Sequence, residues 1–151
     1  MAEKSFFTRS FIGRNIVFGS SRPSTWTLTE KLSEEVFQKD RISSQNSGII
    51  SVSHGTFHCR NVHDHSDTAM IKIIMQIPYA ASELEYSQYR AQQASNEVPF
   101  LEQWEIDARK KLAINKCTST HTLHNVKFET QGTNGSVPGG FIVYMRLEAV
   151  P

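Results

Sequence analysis

TAMIKIIMQI, running from Thr68 to Ile77, is rich in β-branched residues and stops against Pro78. A run of this kind, ended by a residue that cannot donate to a ladder, predicts a β-strand. Side chains alternate across a strand, so Met70, Lys72 and Ile74 share one face while Ile71, Ile73, Met75 and Ile77 share the other. Both faces are largely apolar, which predicts a covered strand and a partly buried Lys72. A buried ammonium costs several kcal/mol unless a carboxylate or a ligand phosphate faces it. The alternative is an edge-strand lysine whose stem lies along the sheet while its head reaches water.

C-terminal to this strand, Tyr79 to Asn96 reads as a polar connection, helical in part. Pro99 suits the first turn of a helix over Phe100–Lys116, with Leu101, Trp104, Ala108 and Leu112 as its apolar stripe. Glu105 shares that stripe, and an acid inside an apolar stripe calls for a cation. Lys72, in the strand before the helix, is the candidate. Two more strands follow, Leu123–Thr130 and Phe141–Ala149. Val137-Pro138-Gly139-Gly140 between them reads as a structural turn and not a phosphate cradle, because it leads into a strand and not a helix N-terminus.

Toward the N-terminus, His63-Asp64-His65-Ser66-Asp67 is a turn by composition. Before it, Ile49, Ile50 and Val52 predict a strand, His54-Gly55-Thr56 a tight turn and Phe57–Val62 a second strand. The polar stretch RISSQNSG, Arg41–Gly48, reads as a linker and sets a boundary between residues 1–47 and 48–151. Upstream, Leu28, Leu32, Val36 and Phe37 repeat at helical spacing after possible caps Thr27 and Thr29, with Glu30 in the first turn. Residues 1–23 read as a loosely ordered arm. The expected fold is α+β: a small antiparallel sheet of about five strands with one main packing helix, preceded by the arm and the N-terminal helix.

Taken in order, TAMIKIIMQIPYA, WEIDARKKLAINKCTST and VPGGFIVYMRLEAVP resemble a fungal group of aminoglycoside-phosphotransferase-like and protein-kinase-like proteins. The resemblance covers residues 50–151 and rests on the order and spacing of these segments. It implies a kinase-like N-terminal lobe in which Lys72 is directed at nucleotide phosphates and Glu105 is its helix partner. Gly55 and Thr56 would belong to the loop over the phosphates. Glu148 and Val150 would lie in the hinge beside an adenine, along with Leu147 and Ala149. The implied ligand is ATP, weakly bound, with no cofactor required. The sequence departs from the family at a single glycine in the loop and at His121, where proline is common. The family's catalytic and metal-binding aspartates follow the hinge, where this sequence stops at Pro151. The resemblance therefore implies a truncated lobe, inactive by itself. Its alternatives are a non-enzymatic scaffold for a protein partner, or a fragment of an active ATP-dependent phosphotransferase.

The 151 residues carry 16 basic and 15 acidic side chains, a net charge of +1. That balance argues against nucleic acid or an acidic membrane surface as partner. No apolar run approaches the length of a membrane span. MAEKSFFTRSFIGR lacks the apolar core of a secretory signal, and Glu3 counts against a mitochondrial presequence. Two cysteines, Cys59 and Cys117, make no disulfide framework, and the default expectation is a reducing, cytoplasmic setting. His58, Cys59, His63, His65 and Asp67 form one group with metal-ligand chemistry, and Cys117, His121 and His124 a looser second. The turn composition accounts for most of the first group, so no metal site is expected. Without a second lobe, Trp104, Leu112 and the apolar residues of the last strand are expected to meet water, with that strand as an open edge. This predicts self-association or a protein partner, unless the N-terminal segment folds back over them.

Overall fold

A computed structural model describes residues 4–117 and 120–149. It is an α+β fold built on one antiparallel six-stranded sheet, in the order β1-β2-β3-β4-β6-β5. The strands are β1 Asn15–Phe18, β2 Ser24–Phe37, β3 Val52–Asn61, β4 Thr68–Gln76, β5 Leu123–Thr130 and β6 Phe141–Glu148. The helices are α1 Arg41–Ser47, α2 Ser87–Ala91 and α3 Phe100–Ile114, and a single 3-10 turn covers Arg9–Phe11. The edge strands β1 and β5 approach one another, so the sheet curls most of the way toward a barrel. Among the described residues no helix is long and apolar enough to cross a membrane.

β4 is central, paired with β3 on one side and β6 on the other. Its two apolar faces feed two cores. On the inner, concave face Ile71, Ile73 and Met75 pack with Trp26, Leu28, Phe57 and Tyr144, and the arm inserts Phe7 and Phe11 among them. The Phe7 ring meets Phe11 and Phe57 edge-on. On the outer face Ile74, Val143, Met145 and Leu147 pack under α3, whose fully buried residue is Ile106.

The arm is held by β2. Glu34 accepts hydrogen bonds from the Phe6 amide at 2.8 Å and from the Ser5 and Ser53 hydroxyls at 2.9 and 2.7 Å. Lys31 pairs with Glu34 at 2.6 Å and donates to the Phe7 carbonyl at 3.2 Å. Burial pushes the Glu34 carboxyl upward, but Lys31 and the donors from Phe6, Ser53 and Ser5 outweigh it and hold it below its usual range.

Three expectations are corrected. The helix predicted over Leu28–Phe37 is the long strand β2, and a 3-10 turn and β1 precede it where a loose arm was expected. The spacing i, i+4, i+8 is a multiple of the strand period as well as close to the helical one, so Leu28, Leu32 and Val36 fit both. Irregularities between Leu28 and Glu30 and between Lys31 and Ser33 then reset the faces, leaving Leu32 exposed and turning Lys31 and Glu34 inward. Second, the linker Arg41–Gly48 is mostly helix α1. Asp40 caps it by accepting from the Ser43 amide at 2.7 Å, and Gly48 ends it in the left-handed region at φ +68°. Third, His54-Gly55-Thr56 is no turn but mid-strand in β3, pairing with Ile74, Ile73 and Lys72. The two short strands predicted on either side of it are one.

β6 is likewise not an edge. It lies between β4 and β5, and Phe141–Met145 and Leu147 are buried. The segment before it is knit by two glutamines. Gln131 donates to the Gln76 carbonyl at 2.8 Å and accepts from the Val137 amide at 3.1 Å. Gly140 leaves room for this arrangement, because an added Cβ would stand 2.5 Å from Gln76 Oε1 and 3.0 Å from the Val137 carbonyl oxygen.

Candidate functional site

Lys72 projects from the middle of β4 on the outer face, between Thr56 of β3 and Met145 of β6. α3 crosses this face with Glu102, Glu105, Ile106 and Arg109 on its inward side. Both Glu105 oxygens accept from Lys72 Nζ, Oε2 at 2.8 Å and Oε1 at 3.0 Å. One turn further on, Arg109 Nε donates to Glu105 Oε2 at 3.0 Å. Lys72 and Glu105 are sheltered but not sealed, with side chains 17% and 27% exposed. Burial raises the Glu105 carboxyl, yet the hydrogen bonds and charges of Lys72 and Arg109 more than offset this and its pKa is lowered.

The helix is turned differently from the sequence expectation. Leu101 and Trp104, read as the buried stripe, are 73% and 65% exposed, while Ile106 is fully buried. Rotation by about one residue, roughly 100° at 3.6 residues per turn, brings the Glu102, Glu105 and Arg109 side inward. The ion pair forms on that side, not within a Leu101–Leu112 stripe.

Beside it lies a pair that the sequence reading did not single out. His54 Nε2 is 3.5 Å from Glu102 Oε1, both side chains largely covered, and the Phe37 ring meets the imidazole edge-on. His54 Nε2 is buried and makes no hydrogen bond. The signal available was period-two alternation through β3, which puts His54 and Thr56 on the face that β4 gives to Lys72. A groove of about 760 Å³ opens here, walled by Phe37, Ile50, Val52 and His54 on one side and Glu102 and Glu105 on the other.

The remaining candidates divide. Thr56 stands directly opposite Lys72, on the same face. Gly55 faces the other way, into the inner core, where an added Cβ would lie 2.7 Å from the Phe7 ring. Its lack of a side chain makes room for Phe7, which is a packing reason and not a phosphate-loop one. Glu148 ends β6 opposite Ala69, and its amide donates to the Thr122 carbonyl at 2.8 Å. Val150 lies outside the described residues.

Cys59 points into the inner core, and burial pushes its thiol up to about 12, while His58 is exposed on the opposite face. The His63–Asp67 turn is organised by its own polar groups, with Asp64 accepting from the Ser66 amide and Asn61 donating to Asp67. Among the described residues no three of His, Cys, Asp and Glu converge on a metal position.

Fold and site together define an α+β chain with a lysine–glutamate–arginine cluster under a single helix. In comparisons with protein-family models, curated proteins and solved structures, the chain matches none.

Proposed function

We propose that this chain is a nucleotide-covering lobe of the phosphotransferase kind, in which Lys72 receives the phosphates of ATP. One observation carries this reading: a strand lysine is gripped by both oxygens of a glutamate on the long helix α3. In kinases a lysine–glutamate pair between strand and helix holds the ammonium toward the nucleotide. An ammonium has three N–H donors. Glu105 takes two of them, which leaves one for a phosphate oxygen. Arg109 fixes Glu105 from the far side, so the carboxylate stays ionised and in place. Thr56, across the ladder from Lys72, adds a hydroxyl on the same face. Gly55 has no part in this site, since it serves the opposite core. The β4–α2–α3–β5–β6 order and the resemblance through residues 50–151 support the same reading.

The test is binding, followed with a fluorescent ATP analogue and competed with unlabelled ATP. Saturable binding lost in Lys72→Ala and weakened in Glu105→Gln is the expected result. No binding, or equal binding by Lys72→Ala, contradicts it and leaves the ion pair as a pin for α3.

A second reading, a protein-binding scaffold, is favoured by a specific observation. Phe100, Leu101 and Trp104 on α3 are each more than 60% exposed, at 79%, 73% and 65%. Clustered exposed apolar residues mark interaction sites. The N-terminal segment covers the opposite face of the sheet and leaves these side chains bare. On this reading α3 docks against a second copy of the chain. Light scattering checks it: mass that rises with concentration, and falls back to monomer in Leu101→Ser with Trp104→Ser, supports it. A constant monomer mass sinks it.

A further inference from the structure

The side of α3 turned away from the sheet carries Phe100, Trp104, Asp107, Lys111 and Ile114, in steps of four, three, four and three residues. This is the spacing of a coiled-coil seam, which keeps one line of side chains facing a second helix. All five are exposed, with Phe100 at 79%, Trp104 at 65% and Ile114 at 78%. The line is apolar toward both ends and charged in the middle. Asp107 accepts a hydrogen bond only from Gln103, at 3.0 Å, and Lys111 has no carboxylate partner among the described residues.

The order of these charges decides how a second copy can lie. Two parallel copies would set Asp107 against Asp107 and Lys111 against Lys111, a repulsion at both charged positions. Two antiparallel copies avoid it. With a two-fold axis crossing the seam midway between Asp107 and Lys111, each Asp107 meets the Lys111 of the other copy. The same register sets each Trp104 against the Ile114 of the other copy. Both kinds of contact then form twice, as a two-fold interface requires.

We infer that α3 pairs antiparallel with α3 of a second copy along this seam, with two Asp107–Lys111 pairs at its centre and a Trp104–Ile114 contact on either side. The inference rests on the scaffold reading above and gives it an orientation and a register. It does not depend on the nucleotide reading, since Glu105 and Arg109 lie on the opposite side of the helix. A single helix of 15 residues is about 22 Å long at 1.5 Å per residue. A seam of that length is at the small end of specific interfaces, so the pairing is weak and depends on concentration.

Charge reversal, read by sedimentation equilibrium from about 10 µM to about 1 mM, the range a small interface calls for, tests it. The parent should pass from monomer to dimer. Asp107→Lys and Lys111→Glu should each weaken the pairing about tenfold or more, because each puts like charges together twice across the axis. An equal mixture of these two variants should dimerise again, since both pairs across the mixed seam are once more of opposite sign. Ile114→Ser should weaken the parent's pairing as well. Circular dichroism checks that each variant keeps its fold; if a reversal does not, Asp107→Asn or Lys111→Gln replaces it and should weaken the pairing about threefold. A parent that stays monomeric overturns both this inference and the scaffold reading. A parent that dimerises while the charge variants pair as tightly as it does, or while the mixture fails to recover, overturns the antiparallel register and leaves the scaffold reading standing.

Discussion

On the inner face of the sheet the arm seats Phe7 and Phe11 in a continuous aromatic and aliphatic core, and Glu34 and Lys31 clamp its backbone. On the outer face α3 places one fully buried large side chain, Ile106, and gives the rest of its inward surface to Glu102, Glu105 and Arg109. One face is therefore closed by apolar area, which is non-directional and scales with what is buried. The other is closed in large part by charge pairs, which contribute little net stability when partly exposed but fix geometry. The difference teaches where each face can change. The inner face should behave as part of the global fold, and α3 as the element that opens first, next to the candidate phosphate site.

Phe7→Ala tests the inner face most severely. It empties a fully buried site, and the cost should be about 3–5 kcal/mol, read from the urea midpoint. Gly55→Ala attacks the same contact from the other side and should cost about 1–3 kcal/mol by overpacking. If Phe7→Ala costs less than Ile106→Ala, the ranking of the faces is wrong. Ile106→Ala itself should cost about 2 kcal/mol, the low end for such truncations, because a helix on one contact can settle into the gap. Hydrogen exchange should then speed up in α3 while β4 stays protected.

How legible all this was in the sequence differs between the same regions. β4 could be read outright, because a β-branched run against Pro78 has no helical rival. The start of α3 could be read from Pro99, but not its rotation. That is decided by where Lys72 and His54 sit on other strands, and residues 101–112 alone offered two plausible faces. β2 misled because its apolar spacing serves both periods and its irregularities are invisible without the partner strand. α1 has almost no apolar content to give a period, so only Asp40 and Gly48 announced it. The reason for Gly55 lies in Phe7, far away in sequence, and no local pattern connects them. The Lys72–Glu105 contact could be foreseen because it needed only two unusual placements, an ammonium in an apolar strand and an acid on the next helix.

Acid sharpens the comparison further. The carboxyls of Glu34 and Glu105 are both held below their ordinary value in the fold. A carboxyl depressed in the folded state stabilises fully above its unfolded value of about 4.3. That contribution is lost as pH falls through the lower folded value. Both faces should therefore loosen in acid. Glu34→Gln should remove the acid sensitivity of exchange at Phe6 and Phe7 and leave that of α3. Glu105→Gln should do the reverse. No loosening in acid, or one variant silencing both regions, would break the separation. The smallest effect is expected for Glu105→Gln on global stability, about 1 kcal/mol or less, from the thermal midpoint.

Lysine side-chain NMR reaches the centre of the account most directly, through the ammonium of Lys72 in the presence of ATP. With Glu105 holding it, the Lys72 resonance should shift and saturate as ATP is added, ahead of the exposed lysines. In Glu105→Gln the shift should shrink while the fold stays intact. A Lys72 resonance that ignores ATP, or that moves no more than Lys110 and Lys111 on the outer side of α3, would contradict it.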